Sequence, residues 1–531
     1  MIYTSKLSVP SIPTGDSVYH AIFKNDNNVP LNKPILIDVE APYRTITYGQ
    51  LKKQILVAAA GFKREFNIQK KDVVAICSPN HMDYVSLFHG TICAGGIIAP
   101  LHYTSSVEDI AYDMKTVQAK FLISHEETID KALAAAKIAG IIESNIVIFG
   151  KTGIQGIRTV DDTLLKGDEE AEPLKYTSEQ MQNDTAVLYF SSGTTGRKKA
   201  VIRTQDNLLY SMITRNINPD YAVLSYLDFN HATSLVAVML LSLYYGCTNH
   251  LLNHYSFRGL CAAIEKYKSN YMSCPPYIIS SLIKDSIARE YDISSLNFIG
   301  NCGAALKKSV TEDAKKVLGA TVLNFYGMTE VLNMFVVTPE VCKAGGVGYL
   351  NGGFTARLVD ENGQDVPEGQ IGELLIKGPS LTPGYYNVLE SIVDADGYFN
   401  TGDLFKCDKT GVFYFWDRSK DLMKYYHTQI YSNEIEEILL KHPKVADCAA
   451  IGIYQPEIAV EFPRAYVLLI RGKHDLEEIT KELQAYSDSQ LPEKKRVRAG
   501  IIIVDSFPRT SSGKIQRRQL RNITDNIKVL A

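Results

Sequence analysis

The chain has nine cysteines among 531 residues, and no two of them form a Cys-x-x-Cys pair. An odd, scattered set excludes a disulfide framework and a zinc site of ordinary spacing, and predicts a reducing compartment. There is no excess of positive charge: 56 Lys and Arg stand against 59 Asp and Glu, a net charge of −3. A nucleic-acid partner is therefore not expected. No run reaches the ~18 uninterrupted apolar residues of a membrane span. The longest candidate, residues 234–245, is too short and predicts a buried helix. The first residues, Met-Ile-Tyr-Thr-Ser-Lys, lack the charged segment and apolar core of a signal peptide. The last, Ile-Lys-Val-Leu-Ala, are not a peroxisomal Ser-Lys-Leu address. Together these absences predict a cytoplasmic protein. Internal repeats and low-complexity tracts are missing too.

What is present is ordinary globular material, 45% apolar and 22% charged, in a chain long enough for two or more domains. Residues 72–77 form a β-branched run, and 82–94 read as a helix. Ser106-Val-Glu-Asp109 fits a helix N-terminus, Ile110, Met114 and Val117 follow at helical spacing, and 120–124 return to strand. The same rhythm recurs at 271–273 and 277–287. It predicts α/β layers with mostly parallel strands. Residues 151–177 read as a linker, with an acidic solvated loop at 166–172. After about residue 340 the texture becomes rich in turns and short strands (373–377, 412–415), which predicts a β-rich subdomain. Beyond 417–421 lies a unit of about 110 residues with helices at 434–441 and 476–487 and strands at 448–453, 465–469 and 500–504. The expected fold is α/β: a large domain of residues 1–419, with layered α/β subdomains and a β-rich one, and a small α+β domain of residues 420–531.

Four segments carry chemistry. Tyr189-Phe-Ser-Ser-Gly-Thr-Thr-Gly-Arg-Lys-Lys199 sits between two strand-like runs, 185–190 and 201–203. Two glycines allow backbone N–H groups to turn toward an anion, four hydroxyls add donors, and the lysines add charge. Such a loop can cradle a polyphosphate, although a Ser/Thr/Gly run alone also fits a flexible linker. It is not the Gly-x-x-x-x-Gly-Lys-Ser/Thr loop, because only two residues separate Gly193 from Gly196. The others are Asn324-Phe-Tyr-Gly-Met-Thr-Glu330, Asn400-Thr-Gly-Asp403 followed by Asp417-Arg-Ser-Lys-Asp421, and Pro508-Arg-Thr-Ser-Ser-Gly-Lys514-Ile-Gln-Arg-Arg. Each alone also reads as a polar turn or a solvated basic face.

In this order the motifs resemble those of the adenylate-forming superfamily, closest to acyl-CoA synthetases and 4-coumarate–CoA ligases. The resemblance implies ATP-dependent conversion of a small carboxylic acid to acyl-AMP, with pyrophosphate release, followed by thioester formation with CoA. It assigns ATP phosphates to Ser191, Ser192, Gly193, Thr194, Thr195, Gly196 and Lys199, with Thr195 also catalytic. Gly303, Ala304 and Ala305 line adenine and the acyl pocket. Tyr326 and Gly327 lie against adenine, Thr329 at the α-phosphate, and Glu330 holds Mg²⁺. Asp403 and Arg418 take the ribose. Lys514 reaches over the site as charge develops. His231 borders the carboxylate. Lys424 and Gln429 contact the acyl-adenylate, and Lys420 is the pivot on which the small, mobile domain turns.

Departures from the pattern are local. Arg197-Lys198 stands where Leu-Pro is usual, Ala200 replaces a glycine, and Ala305 replaces a proline. In Lys424-Tyr-Tyr-His-Thr-Gln429, Tyr426 replaces a lysine and His427 the glycine beside which the pantetheine arm of CoA passes; Ser432 replaces a proline. Three alternatives stay open: adenylation with another acceptor (a carrier-protein thiol, an amine or luciferase-like oxidation), a catalytically silent nucleotide binder, and a kinase, against which the loop spacing counts.

Overall fold

The computed structural model describes residues 1–9, 11–12, 15–150, 156–191, 197–306, 308–426, 428–458, 460–472, 474–509 and 514–522. The first sheet has seven strands, in spatial order Lys199–Thr204, Thr185–Ser191, Ile97–Pro100, Val73–Cys77, Phe121–His125, Ile146–Phe149 and Arg158–Thr159. All neighbours are parallel except the first two. Strands such as Val73–Cys77 and Ile97–Pro100 are buried along their whole length because helices cover both faces. Alternate residues face different layers. Val74, Ile76 and Ile98 pack with helices Tyr48–Phe66 and Tyr84–Cys93, whereas Val73, Ala75 and Ile97 pack with Val107–Thr116 and Ile129–Ala139.

A second seven-stranded sheet runs Thr321–Asn324, Phe298–Asn301, Tyr271–Cys274, Ala222–Ser225, Thr248–Leu251, Pro34–Asp38 and Thr45–Thr47. Only its last pair is antiparallel. A five-stranded antiparallel sheet follows in sequence: Ile2–Thr4, Thr355–Val359, Ile371–Lys377, Phe399–Cys407 and Phe413–Arg418. The expected β-rich subdomain is this sheet, completed at one edge by the N-terminal strand. The last unit packs helices Ser432–Leu440 and Leu476–Gln490 on a three-stranded sheet of Val445–Gln455, Val460–Leu469 and Ile501–Val504. It touches the helix Pro276–Lys284: Lys284 Nζ donates to the carbonyls of Val445 (2.8 Å) and Leu440 (3.3 Å), and the Arg509 guanidinium lies 4.3 Å from the Tyr277 ring centroid.

Four expectations change. The strands on either side of residues 192–196 are antiparallel neighbours, where mostly parallel strands were expected. Residues 156–177 are no free linker: Arg158–Thr159 extends the first sheet and Val160, Leu164 and Tyr176 enter the core, leaving the acidic stretch exposed. The helix expected over 277–287 stops at Lys284, because Asp285 turns extended and its carboxylate caps Ser286–Glu290 by accepting from Ile287 N (3.0 Å). Residues 234–245 are helical, but Leu235–Ser242 is a π-helix; the Met239 carbonyl bonds the ring of His89 (2.9 Å), the kind of side-chain partner that opens a helical ladder. Among the described residues, no helix is long and apolar enough to cross a membrane.

The strand Lys199–Thr204 carries Arg203, fully buried. Its Nη1 donates to the Ser380 carbonyl (2.7 Å) and its Nη2 to the Thr329 carbonyl. Burial pulls its pKa down to about 9, against the field of Glu330, so it stays charged at neutral pH. Arg203→Met leaves two carbonyls without donors and should lower stability by about 3 kcal/mol. The shift of the urea midpoint measures this; an unchanged midpoint contradicts it.

Candidate active site

Carboxyl ends of parallel strands are where an α/β sheet presents ligands, and here they are tied together by two buried asparagines. Asn301 Nδ2 donates to the Ala304 carbonyl (2.9 Å) and to Asn324 Oδ1 (2.8 Å). One amide thus holds the turn 302–305 against the neighbouring strand end. Gly303 turns there at φ +82°, which glycine accommodates, leaving Ala304 exposed and Ala305 half-buried. Asn301 Oδ1 stays buried with no partner among the described residues, an acceptor available to a ligand. Past Asn324, the Tyr326 phenol donates to Asp403 Oδ2 (2.6 Å), and its ring meets Phe405 edge-on at 4.8 Å. Asp403 faces Arg418 across the strand pair, with Arg418 Nε 3.5 Å from Asp403 Oδ1. Burial pushes the Asp403 carboxyl up, while Arg418, the Tyr326 hydroxyl and Lys514 hold it down.

The second group surrounds Glu330. This carboxylate is buried; Oε1 accepts from the Tyr385 hydroxyl (3.1 Å), and its carbonyl accepts from Thr382 N (2.9 Å). Lys199 Nζ lies 4.7 Å from the centre of the same Tyr385 ring. Arg203 grips the carbonyl of half-buried Thr329 from below. Gly327 is exposed, and a Cβ there would find nothing nearer than the Val331 carbonyl at 3.8 Å, so a ligand can approach its backbone. Ser191 ends its strand buried, while Ser192, Gly193, Thr194, Thr195 and Gly196 lie outside the described residues.

Lys514 connects the two groups. Its side chain is half-buried, and desolvation together with the charge of Arg418 pulls its pKa down to about 8 against the pull of Asp403 and Glu330. His231 Nδ1 accepts from Thr233 N (3.2 Å), which puts the proton on Nε2; burial and Lys514 lower its pKa to about 4, so the ring is neutral at pH 7. Cys302 shares this neighbourhood: burial pushes its thiol up to about 11, opposed by a Thr233 hydrogen bond and Lys514. Tyr385, Arg203, Thr233 and Cys302 were not expected from sequence. A charged residue inside the apolar run Val201–Thr204 was the one signal available, for Arg203.

Lys424 and Gln429 are not part of this cluster. They face each other in the hairpin of Met423–Tyr425 and Thr428–Ile430, both exposed. Lys424 N donates to Glu461 Oε2 (2.9 Å), and Gln429 Oε1 accepts from the Tyr431 hydroxyl (3.1 Å). Lys420 is exposed in the short turn Ser419–Asp421 between the sheets. His427 and residues 510–513 lie outside the described residues.

The donor set fits a magnesium nucleotide. No group of three His, Cys, Asp or Glu side chains suited to a metal occurs among the described residues, but Mg²⁺ commonly binds through one or two carboxylates plus substrate phosphates, which a single Glu330 can serve. Fixed cations at Lys199, Arg418 and Lys514 suit an anionic partner. The lysine makes a direct test: in protein whose lysines are reductively ¹³C-methylated, one NMR signal should titrate near pH 8 and vanish in Lys514→Met. No lysine titrating below about pH 10 would contradict the placement.

Comparison with known proteins agrees with this geometry. The AMP-binding enzyme family matches residues 22–386, and the AMP-binding enzyme C-terminal domain matches 434–514. A phenylacetyl-CoA ligase of Aspergillus niger is 31% identical over 515 residues, covering 93% of this chain and 94% of that protein. A probable 4-coumarate–CoA ligase of Dictyostelium discoideum is 28% identical, covering 98% and 97%. Among solved structures, an anthranilate CoA ligase in complex with anthranoyl-AMP superposes with a TM-score of 0.87 at 21% identity, covering 97% of this chain and 99% of that one, a likeness of fold.

Proposed function

This chain belongs to the AMP-binding enzymes, and on that premise we propose that it is an acid–thiol ligase that makes an acyl-adenylate and passes the acyl group to CoA. The observation that carries the proposal is Lys514 within electrostatic reach of the ion pair Arg418–Asp403 and of Glu330. Asp403, an acceptor-only group, and Arg418 take the ribose; Tyr326 and the 303–305 turn take adenine. Lys199 and the loop 191–196, including Thr195, take the phosphates, and Thr329 the α-phosphate. Glu330 would hold Mg²⁺, which when bound would offset the repulsion between carboxylate and phosphates and the charge of departing pyrophosphate.

In the first step a carboxylate oxygen bonds to the α-phosphorus while the bond from that phosphorus to the pyrophosphate oxygen breaks. The Lys514 ammonium stabilises the charge that gathers on the oxygens around phosphorus. His231, neutral with Nε2 protonated, donates to the carboxylate and keeps it oriented. In the second step the CoA thiolate bonds to the acyl carbon and AMP leaves with the electron pair. We place the domain boundary at 419/420. A turn of residues 420–531 about Lys420 then withdraws Lys514 and presents Lys424 and Gln429, which explains why that pair lies apart from the adenylation cluster. The small side chains of Cys302, Ala304, Ala305 and Thr233 around the carboxylate position suit an aryl or aliphatic acid, and the similarity to a phenylacetyl-CoA ligase supports that class.

A second reading keeps the adenylation and changes the acceptor. One observation favours it: Tyr426, 62% exposed, occupies the left-handed region at φ +49° at the hairpin tip, next to a histidine where the resemblance expects glycine. The test is enzyme, ATP and Mg²⁺ with a panel of carboxylates, with CoA, with hydroxylamine and with neither, and products identified by mass. Acyl-CoA, AMP and pyrophosphate are expected. Acyl-AMP that ignores CoA and is discharged by the amine moves the assignment to the second reading. No pyrophosphate with any acid overturns both. Lys424→Ala should leave acid-dependent pyrophosphate release within about threefold of native and slow thioester formation at least about tenfold. An equal loss in both steps contradicts the division of labour.

A further inference from the structure

We propose that Arg197 and Lys198 are positioning residues, clamped to the helix Val107–Thr116, that aim Lys199 at the Glu330 side of the site; the inference rests on the adenylation reading. Where the family resemblance leads one to expect Leu-Pro, this chain has two long cations, and both are engaged by neighbouring residues of one helix. Lys198 Nζ lies 3.1 Å from Asp113 Oδ2 and 3.1 Å from Ser105 Oγ. The Arg197 guanidinium lies 4.6 Å from the Tyr112 ring centroid.

The pair Lys198–Asp113 is not an ordinary surface ion pair. The Asp113 side chain is 2% exposed and that of Lys198 26%. Breaking a pair of that kind leaves a buried carboxylate uncompensated, which is why it holds its geometry better than a solvated one. Burial pushes the Asp113 carboxyl up to about 6, and Lys198 pulls it back.

Two consecutive lysines therefore serve different partners. Lys198 turns back to the helix, and its charge is neutralised there. Lys199 begins the strand and reaches the Tyr385 ring, whose hydroxyl binds Glu330. That strand is held on both edges: Lys199 pairs with Ser191 on one side, and on the other Tyr386 N donates to the Ala200 carbonyl (2.8 Å). The backbone is thus fixed from Lys199 onward by the sheet. Immediately before it, residues 197 and 198 have no strand partner, and their side chains supply the restraint that a proline ring supplies by locking φ. An unclamped segment would let the Lys199 ammonium sample directions away from the phosphates.

The experiment is calorimetric titration of the full chain with ATP and Mg²⁺, beside steady-state kinetics. Asp113→Asn and Lys198→Met should each weaken ATP binding about tenfold, with kcat at saturating ATP within about twofold of native. Two backgrounds separate positioning from general damage. With Arg197→Leu and Lys198→Pro together, which removes both cations and locks φ at residue 198, Asp113→Asn should change ATP affinity by less than about twofold. With Lys199→Met, the same substitution should add no further loss. Equal weakening in all three backgrounds, or unaltered affinity in the native one, overturns the proposal. A native chain that binds ATP but releases no pyrophosphate with any acid refutes adenylation while these titrations still decide the clamp. A native chain that binds no ATP refutes both.

Discussion

An ammonium group drawn partly out of water keeps its charge only beside carboxylates, and Lys514 meets them where the last unit of the chain adjoins the second sheet and the five-stranded one. Asp403 and Glu330 draw the proton on, while Arg418 and desolvation push it off, and the balance leaves a pKa of about 8. Each carboxylate is fixed by a phenol, Asp403 by Tyr326 and Glu330 by Tyr385. Those phenols hang from strand ends and loops that the buried sheets hold rigid. Loosening any layer would leave either a cation without counter-charge or a carboxylate without a donor, both expensive in a low-dielectric setting.

The same arrangement draws the site from two units of the chain. Glu330, Asp403 and Arg203 come from the large unit and are held by hydrogen bonds within it, and Arg418 pairs there with Asp403. Lys514 comes from the small unit, whose contacts with the large one include polar and cation–π ones, as at Lys284 and Arg509. Such contacts can be exchanged without exposing a large apolar face. Meanwhile Lys424 and Gln429 sit on a separate hairpin of that unit, exposed and already ordered by their pairing. One small unit thus carries two sets of polar groups, Lys514 in one and Lys424 with Gln429 in the other.

How much of this could be read in advance depended on range. Fully buried parallel strands such as Val73–Cys77 betray themselves as apolar runs, and caps such as Ser106 and Thr204 are local. The strand Ile2–Thr4 could not be seen, because three residues find their partner some 350 positions away. Nor could the antiparallel pairing around residues 192–196, since alternation of apolar residues carries no direction. At the site, Glu330, Asp403, Arg418 and Lys514 stand in compact motifs and were legible one by one. That Tyr326 donates to Asp403, or Tyr385 to Glu330, was not, because those contacts join distant segments that meet only in the tertiary fold, Asp403 on the five-stranded sheet and Tyr385 beside Val201 at the edge of the first. Arg203 was hidden for another reason: arginine in a strand ordinarily faces water, and here tertiary hydrogen bonds outweigh that preference.

The most direct measurement is the exchange of radiolabelled pyrophosphate into ATP, which reports reversal of the adenylation step before any acceptor is needed. Native enzyme should exchange only when a suitable carboxylic acid is present, and Lys514→Ala should lower that rate by about 10²- to 10³-fold with ATP affinity within about threefold of native. Exchange without any acid, or at an unchanged rate in Lys514→Ala, would contradict the assignment of Lys514 to the charge that develops at the α-phosphorus.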